Sequence, residues 1–268
     1  MSDPRRTLAE LQGQVMDRRR FLAFTAALAG TAMYGQLRGD LASAAPRLPG
    51  YPFALGVASG DPAPDGVALW TRLVPDPLVK GGGMPAARDV AVQWQVATDD
   101  AFANVVRSGT VAAMPELAHS VHVDVSGLQP AREYFYRFVS AAEASPVGRT
   151  KTAPARDAHV SALRFAFASC QAWPDGFYSA YRRMLEEDLD LVIHLGDYIY
   201  EYGISGNRRG VEVPGTLREE CKTLERYRLQ YGLYKSDPDL QNAHARFPWA
   251  VTWDDHEVAN DYAGVHPA

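Results

Sequence analysis

Three short apolar runs in the second half of the chain each lead to residues that bind metals well. The runs are RFAFAS, LVIHLG and FPWAVTW, and they lead to Cys170, Asp197 and Asp255–His256. If these runs are neighbouring parallel strands, their carboxyl ends meet at one edge of a sheet, which is where ligands bind in open α/β folds. Thiolate, carboxylate and imidazole donors gathered there predict a metal centre.

Composition limits the class of protein. The chain has 268 residues, 47% of them apolar, which is typical of a globular protein of one or two domains. Its formal net charge of −5 does not favour a nucleic-acid-binding surface.

The N-terminus has the pattern of an export signal. Arg18–Arg20 is followed by Phe-Leu, an apolar stretch and the small-residue site Ala42–Ala44. This pattern predicts a twin-arginine signal peptide over residues 1–44, and hence the twin-arginine translocation machinery as a partner and a periplasmic or extracellular location. The apolar stretch is too short for the roughly 20 residues that a bilayer requires, so no stable membrane anchor is expected. This export route carries folded proteins, which fits a cofactor inserted beforehand.

Residues 53–152 show the alternation of half-buried strands. Short apolar-polar runs are separated by Gly, Pro, Asp and Ser: GVALWTRLV, DVAVQWQVAT, ANVVRSGTVAA, HSVHVDVSGL and REYFYRFVSA. They predict an N-terminal all-β domain, a fibronectin-like β-sandwich. Its aromatic residues Trp70, Trp94, Tyr134 and Tyr136 are expected to pack in the core rather than to bind a ligand.

Residues 160–268 change to an α/β pattern of strand, helix, strand, helices and strand. The helical spacing of Phe177, Tyr181 and Leu185 predicts a helix over residues 175–190. A second helical pattern covers residues 217–234. A third begins at Asp237, and Ser236 and Asp237 are its candidate caps ahead of Pro238.

The donor set indicates a reaction. Asp197 and Tyr200 lie three residues apart just beyond a strand, so both oxygens can reach one ion. A carboxylate can bridge two cations, whereas a tyrosinate binds well only to a strongly acidic ion such as Fe³⁺. Paired cations are the usual device for hydrolysing phosphate esters, so phosphoester hydrolysis is the predicted chemistry.

Four motifs together resemble the alkaline phosphatase D (PhoD-like) family: GVASGDPxPDGVxLWTRL at 56–73, FASC at 167–170, HLGDYIYEYG at 194–203 and TWDDHEVANDY at 252–262. The resemblance implies a β-sandwich followed by a metallophosphatase-like α/β sandwich. It also implies phosphatase and phosphodiesterase activity on phosphoester substrates for phosphate acquisition, with Fe³⁺ and Ca²⁺ as cofactors.

The resemblance also implies individual roles. Cys170, Asp197 and Tyr200 match the iron-side ligands, with Asp197 placed to bridge toward calcium, and Asp255 matches a further metal ligand. His256 then lies next to the substrate phosphate, where it stabilises or protonates the leaving oxygen. Asn260 matches a position that contacts calcium or phosphate.

Family members carry further Asp and His ligands on strands far downstream of these motifs, so residues 160–268 are expected to be the truncated first half of a catalytic domain. Two hypotheses follow. The chain is part of a secreted phosphatase or phosphodiesterase, or it is a non-catalytic secreted remnant that keeps the sandwich and a partial metal site.

Other residues near the motifs have plainer interpretations. His194 is expected to be a core histidine. Tyr198, Glu201 and Tyr202 flank the ligands and are expected to pack against them or to support them from behind. Arg208–Arg209 is either a solvated pair or an attractor for phosphate. Cys221 is the only other thiol, and a disulfide with Cys170 is the alternative to a metal-binding thiolate.

Overall fold

The computed structural model describes residues 48–86 and 88–262, and these belong to one compact unit. The predicted export signal lies outside the described residues. Within those two ranges, no helix is long and apolar enough to cross a membrane.

The first part of the chain forms short strands, as its alternating pattern predicts. They are β1 (Val57–Ala63), β2 (Gly66–Arg72), β3 (Val90–Ala97), β4 (Val105–Ala113), β5 (Ser120–Ser126), β6 (Glu133–Ser140), β7 (Glu143–Ala144) and β8 (Gly148–Lys151). Strands β2 to β6 coincide with the five predicted runs. In β6 every second side chain is buried, which is the period of a half-buried strand.

The second part alternates strands with helices. Its elements are β9 (Phe165–Ala168), α1 (Ser179–Met184), β10 (Leu191–His194), α2 (Leu224–Lys235), α3 (Pro238–Arg246) and β11 (Pro248–Val251). Short 3-10 helices lie at Lys80–Gly83, Pro115–Leu117, Trp173–Asp175 and Gly215–Arg218.

Strands β9, β10 and β11 are parallel neighbours, as the sequence predicts. Leu191 pairs with Phe165, and Val192 pairs with Trp249. These strands form one edge of a six-stranded sheet with the order β5-β2-β1-β11-β10-β9. Their carboxyl ends therefore meet at one rim of the sheet.

The six-stranded sheet joins the two parts of the chain, which the sequence did not predict. Strand β1 pairs antiparallel with β2 and parallel with β11. Gly60 allows this approach, because a Cβ there would lie 2.6 Å from the backbone oxygen of Trp249. The second sheet has the order β4-β3-β6-β7, and β8 also pairs with β6.

Two hydrophobic clusters form the core. The first lies between the sheets and includes Tyr136 and Phe138, which are fully buried. The second includes Leu240 and Phe247 together with Trp249 of β11. Helices of the second part thus bury one face of the parallel strands.

The helices are shorter than their sequence patterns predict. Helix α1 covers only Ser179–Met184, so the helix predicted over residues 175–190 is wrong at both ends, and Phe177 lies outside it with 67% of its surface exposed. Helix α2 starts after the N-cap Thr223, so the predicted helix from residue 217 is also wrong at its start. The Asp237 N-cap is confirmed, because its side chain accepts hydrogen bonds from the amides of Asp239 and Leu240.

Candidate metal centre

The loops after β9 and β10 run side by side. The amide of Cys170 donates to the carbonyl of Gly196 at 3.2 Å, and that of Gln171 donates to the carbonyl of Asp197 at 3.1 Å. Cys170 and Asp197 both have left-handed backbones, with φ of 56° and 55°. Non-glycine residues adopt this conformation at a cost, and such strain is found at functional sites.

The loop after β11 joins the same rim. The amide of Thr252 donates to the carbonyl of His194 at 3.0 Å, which extends the strand pairing into the loop. Gly196 makes room for it, because a Cβ there would lie 2.5 Å from the Cβ of Asp254. The Glu257 carboxylate accepts hydrogen bonds from the amides of Asp254 and Tyr198 and so ties this loop to the one after β10.

The predicted donors lie together at this rim. Potential ligand atoms of Asp197, Asp255 and His256 all lie within 4.8 Å of one another. The Tyr200 hydroxyl donates to Oδ2 of Asp197 at 2.9 Å, and Cys170 is close enough to Tyr200 to affect its pKa. The structure therefore brings Asp197 and Asp255 together with His256, and the Tyr200 hydroxyl joins them through Asp197. Cys170 is exposed and lies outside that group of three, so its role as a ligand stays a prediction.

The charges of the site fit a bound cation. Asp197 is only 7% exposed, and its Oδ1 atom has no hydrogen-bond partner among the described residues. No Lys or Arg in residues 48–86 and 88–262 forms an ion pair with Asp197, Glu201 or Asp255. A buried carboxylate oxygen without a partner is costly, and a cation held by these oxygens would satisfy it.

The surroundings of Tyr200 favour its protonated hydroxyl in the absence of a bound cation. Burial raises the pKa of its hydroxyl above the ordinary value, and the hydrogen bond to Asp197 and the nearby Cys170 raise it further. The neutral phenol is therefore the stable form in this arrangement. Only a strongly Lewis-acidic ion would convert it to the tyrosinate ligand that the sequence predicts.

Glu201 organises the site by holding His256 and Asn260, whereas the sequence predicted for it only packing or support beside the ligands. It is 2% exposed, and its Oε2 lies 2.8 Å from Nδ1 of His256. Its Oε1 accepts the amide of Asn260 at 2.8 Å. Burial opposes the charged imidazole, but the hydrogen bond to Glu201 and the negative charges of Glu201, Asp197 and Asp255 together outweigh it and raise the pKa of His256. The sequence signal for Glu201 was its position one residue after Tyr200, and nothing in the sequence indicated that its partner would be His256.

Asp255 and Asn260 are fixed by the same loop. The Asp255 carboxylate accepts the amide of Asp261, and this hydrogen bond lowers the pKa of Asp255. The side-chain amide of Asn260 donates to Asp261 at 2.8 Å, and the Asn260 side chain is exposed. Its predicted contact with substrate or calcium stays a prediction.

The remaining candidates have structural roles. His194 is buried, and its Nδ1 accepts a hydrogen bond from the amide of Gly196. Arg209 forms a buried ion pair with Asp237 and lies against the ring of Trp173, so it is neither solvated nor free to attract phosphate. Cys170 and Cys221 are both free thiols, and the disulfide alternative is not found.

A cleft of about 350 Å³ opens beside the centre. Cys170 and Tyr200 are among its lining residues, and Tyr202 and Tyr234 contribute aromatic surface. A small molecule could therefore bind in the cleft, next to the potential metal ligands.

Comparisons with known proteins cover nearly the whole described chain. A family model described as PhoD-like phosphatase matches residues 165–268, and one described as PhoD-like phosphatase, N-terminal domain, matches residues 40–154. The alkaline phosphatase D of Bacillus subtilis (strain 168) is 50% identical over 264 residues, which is 96% of this chain and 44% of that protein.

A solved structure of PhoD superposes with a TM-score of 0.76 at 55% identity, over 82% of this chain and 42% of that one. The chain therefore spans less than half the length of the relatives that it matches.

Proposed function

Because the chain belongs to the PhoD-like phosphatase family, we propose that it is a metal-dependent phosphoric ester hydrolase of the alkaline phosphatase D type. The observation that carries this proposal is the buried Oδ1 of Asp197, which has no protein partner within the described residues although it lies among further metal-binding groups. Such an atom fits a cation better than it fits a structural role.

Asp197, Tyr200 and Cys170 would hold Fe³⁺, and Asp197 and Asp255 would hold Ca²⁺. These ions would supply positive charge to the phosphate oxygens and lower the pKa of a water molecule. The donor set supports the assignment, because a phenol and a thiol beside carboxylates suit a ferric ion and the carboxylate oxygens suit calcium.

His256 would act on the leaving group. The carboxylate of Glu201 fixes its ring and favours the protonated form, which can donate a proton to the leaving oxygen or neutralise its charge. Asn260 would orient the phosphate from the same loop. The adjoining cleft, with Tyr202 and Tyr234 in its walls, would receive the organic part of the ester.

The protein would act outside the cytoplasm in phosphate acquisition, after export by the twin-arginine route. The pattern of residues 1–44 supports this part of the proposal. Replacing Arg18 and Arg19 with lysine should leave the protein in the cytoplasmic fraction, and unchanged export of that variant would contradict it.

The central test compares Asp197→Asn with Asp188→Asn. Asp197 lies in the centre, whereas Asp188 is exposed and forms only a surface ion pair with Arg164. Metal content and hydrolysis of p-nitrophenyl phosphate are measured after incubation with iron and calcium. We expect Asp197→Asn to lose bound metal and turnover, and Asp188→Asn to keep both.

Two results would count against this proposal. Metal binding that depends on Asp197 without any turnover would favour the non-catalytic remnant with a partial metal site. Turnover that persists in Asp197→Asn would show that this rim is not the centre of the reaction.

A further inference from the structure

A second cleft, of about 260 Å³, lies between β2 and α2. Trp70 and Arg72 of β2 line one side. Arg228, Tyr231 and Lys235 line the other, and their spacing of three and four residues places them on one face of α2. This cleft shares no lining residue with the one beside the metal centre.

The cleft collects three cationic side chains that no carboxylate neutralises by direct contact. Among the ion pairs of the described residues, none includes Arg72, Arg228 or Lys235. Backbone carbonyls hold the guanidinium groups instead: Nε of Arg72 donates to Ala118 at 2.9 Å, and Nη2 of Arg228 donates to Glu116 at 2.6 Å. These contacts orient the donors but leave the positive charge in place.

The arrangement is costly without an anion. Burial lowers the pKa of Arg72 to about 10, and the like charge of Arg228 contributes a smaller part of this decrease. The negative charge of Glu225 raises the pKa but offsets only part of the decrease. Burial lowers the pKa of Lys235 to about 7. Proteins rarely bury unpaired cations together, because each loses hydration and repels the others.

Aromatic contacts account for part of the arrangement but not for all of it. The Lys235 ammonium lies 4.4 Å from the ring centre of Trp70 and 5.2 Å from that of Tyr198, so cation-π attraction stabilises it. That attraction explains one cation. It does not explain why Arg72 and Arg228 face the same space.

The walls indicate what kind of anion fits. Trp70 and Tyr231 offer flat aromatic surface, and Leu55 and Leu117 add aliphatic surface. A site with apolar walls and a few convergent charged groups suits a small organic ligand. We propose that this cleft binds a small organic anion, with a phosphate or carboxylate group at the three cations and a flat apolar body against Trp70 and Tyr231.

The test uses phenylphosphonate, which carries the predicted charge and body and has no ester bond to hydrolyse. Titration calorimetry is performed on chelator-treated protein, so that the metal centre does not compete. Lys235→Met and Arg228→Met remove cations of the cleft, and Arg183→Met removes an exposed cation on α1 as the matched control. Lys235→Met is expected to fold normally, because it removes a charge that burial penalises. Circular dichroism checks the fold of each variant.

We expect saturable binding to the wild type that Lys235→Met and Arg228→Met each weaken about tenfold or more, as loss of a charge-assisted hydrogen bond predicts. Arg183→Met and Asp197→Asn should leave the affinity unchanged. Inorganic phosphate should bind more weakly than phenylphosphonate, because it lacks the apolar body. Benzoate should compete with phenylphosphonate for the cleft, because it has both a carboxylate and a flat apolar ring.

Absence of binding to folded wild-type protein would overturn the proposal. Binding that Asp197→Asn abolishes and Lys235→Met leaves intact would also overturn it, because the ligand would then lie at the metal centre. The proposal does not depend on hydrolysis, so an inactive protein that binds phenylphosphonate through Lys235 would still support it.

Discussion

The antiparallel strands of the first part and the parallel strands of the second part differ in how their apolar side chains are covered. In β6, Tyr136 and Phe138 are fully buried between the sheets. In β9, Phe165 and Phe167 are as apolar but face outward, and Phe167 is 69% exposed. An apolar run therefore predicts a strand reliably, but it does not predict what covers that strand.

The two parts also use polar residues differently. Buried or nearly buried charges of the second part hold loops together, as Arg209 does with Asp237 and Glu201 does with His256. The first part is stabilised mainly by a continuous apolar core. We therefore expect substitutions in the first part to act on stability, and those at the rim to act mainly on metal binding.

The largest expected effect is that of Phe138→Ala. Removing a fully buried aromatic side chain leaves a cavity and should lower the free energy of unfolding by about 3–5 kcal/mol in urea denaturation. Phe167→Ala is the matched control and should change it by less than about 0.5 kcal/mol. Equal losses would mean that the outer face of β9 is covered in solution, and the contrast between the two parts would fail.

Next in size is Asp237→Asn. This change keeps an oxygen for the α3 N-cap but leaves Arg209 as an unpaired buried charge, because the two side chains are only 3% and 5% exposed. We expect a loss of about 3 kcal/mol in the free energy of unfolding. Glu186→Gln, in the exposed pair with Arg183, should cost about 0.5 kcal/mol or less. A similar small loss in both variants would mean that the buried pair does not anchor the second part.

A smaller effect is expected for Glu201→Gln, measured as metal affinity. A ring nitrogen of His256 lies among the potential ligand atoms of Asp197 and Asp255. Loss of the Glu201 carboxylate that holds this ring should therefore weaken metal binding by roughly 10- to 100-fold, the usual result of removing a partner of a ligand. Glu187→Gln, an exposed substitution just after α1, should leave the affinity unchanged. Unchanged affinity in Glu201→Gln would place Glu201 outside the metal site and leave it with a packing role only.

The sequence was sufficient for the strands of the first part, because alternation with a period of two reports directly on one buried face. It failed for β1, since VASGDPA has Gly and Pro where a strand pattern is expected and the strand exists only through its pairing with β2 and β11. The sequence pattern also predicted too long a helix for α1. Phe177 fits the helical spacing, but the neighbouring Gly176 and Pro174 are poor helix formers, and the helix begins only after them.

At the metal centre, the sequence predicted which residues could bind metal, but it did not predict the contacts that position them. Cys170, Asp197, Tyr200 and Asp255 are residue types that bind metals, and their positions after apolar runs indicated a shared rim. Glu201 was predicted to pack beside the ligands or support them, but its hydrogen bond to His256 was not predicted, and Gly196 was given no role. Their roles depend on Asp254 and His256, which lie more than 50 residues away in the sequence.

The sequence by itself determined that most of the apolar and alternating runs form strands and which chemical groups follow them, because local periodicity and residue type are properties of neighbouring positions. The tertiary structure decided that β1 joins the two parts in one sheet, that Glu201 holds His256, and that Arg72, Arg228 and Lys235 share a cleft. These features depend on distances between residues far apart in the chain, and only the packed fold brings such residues into contact.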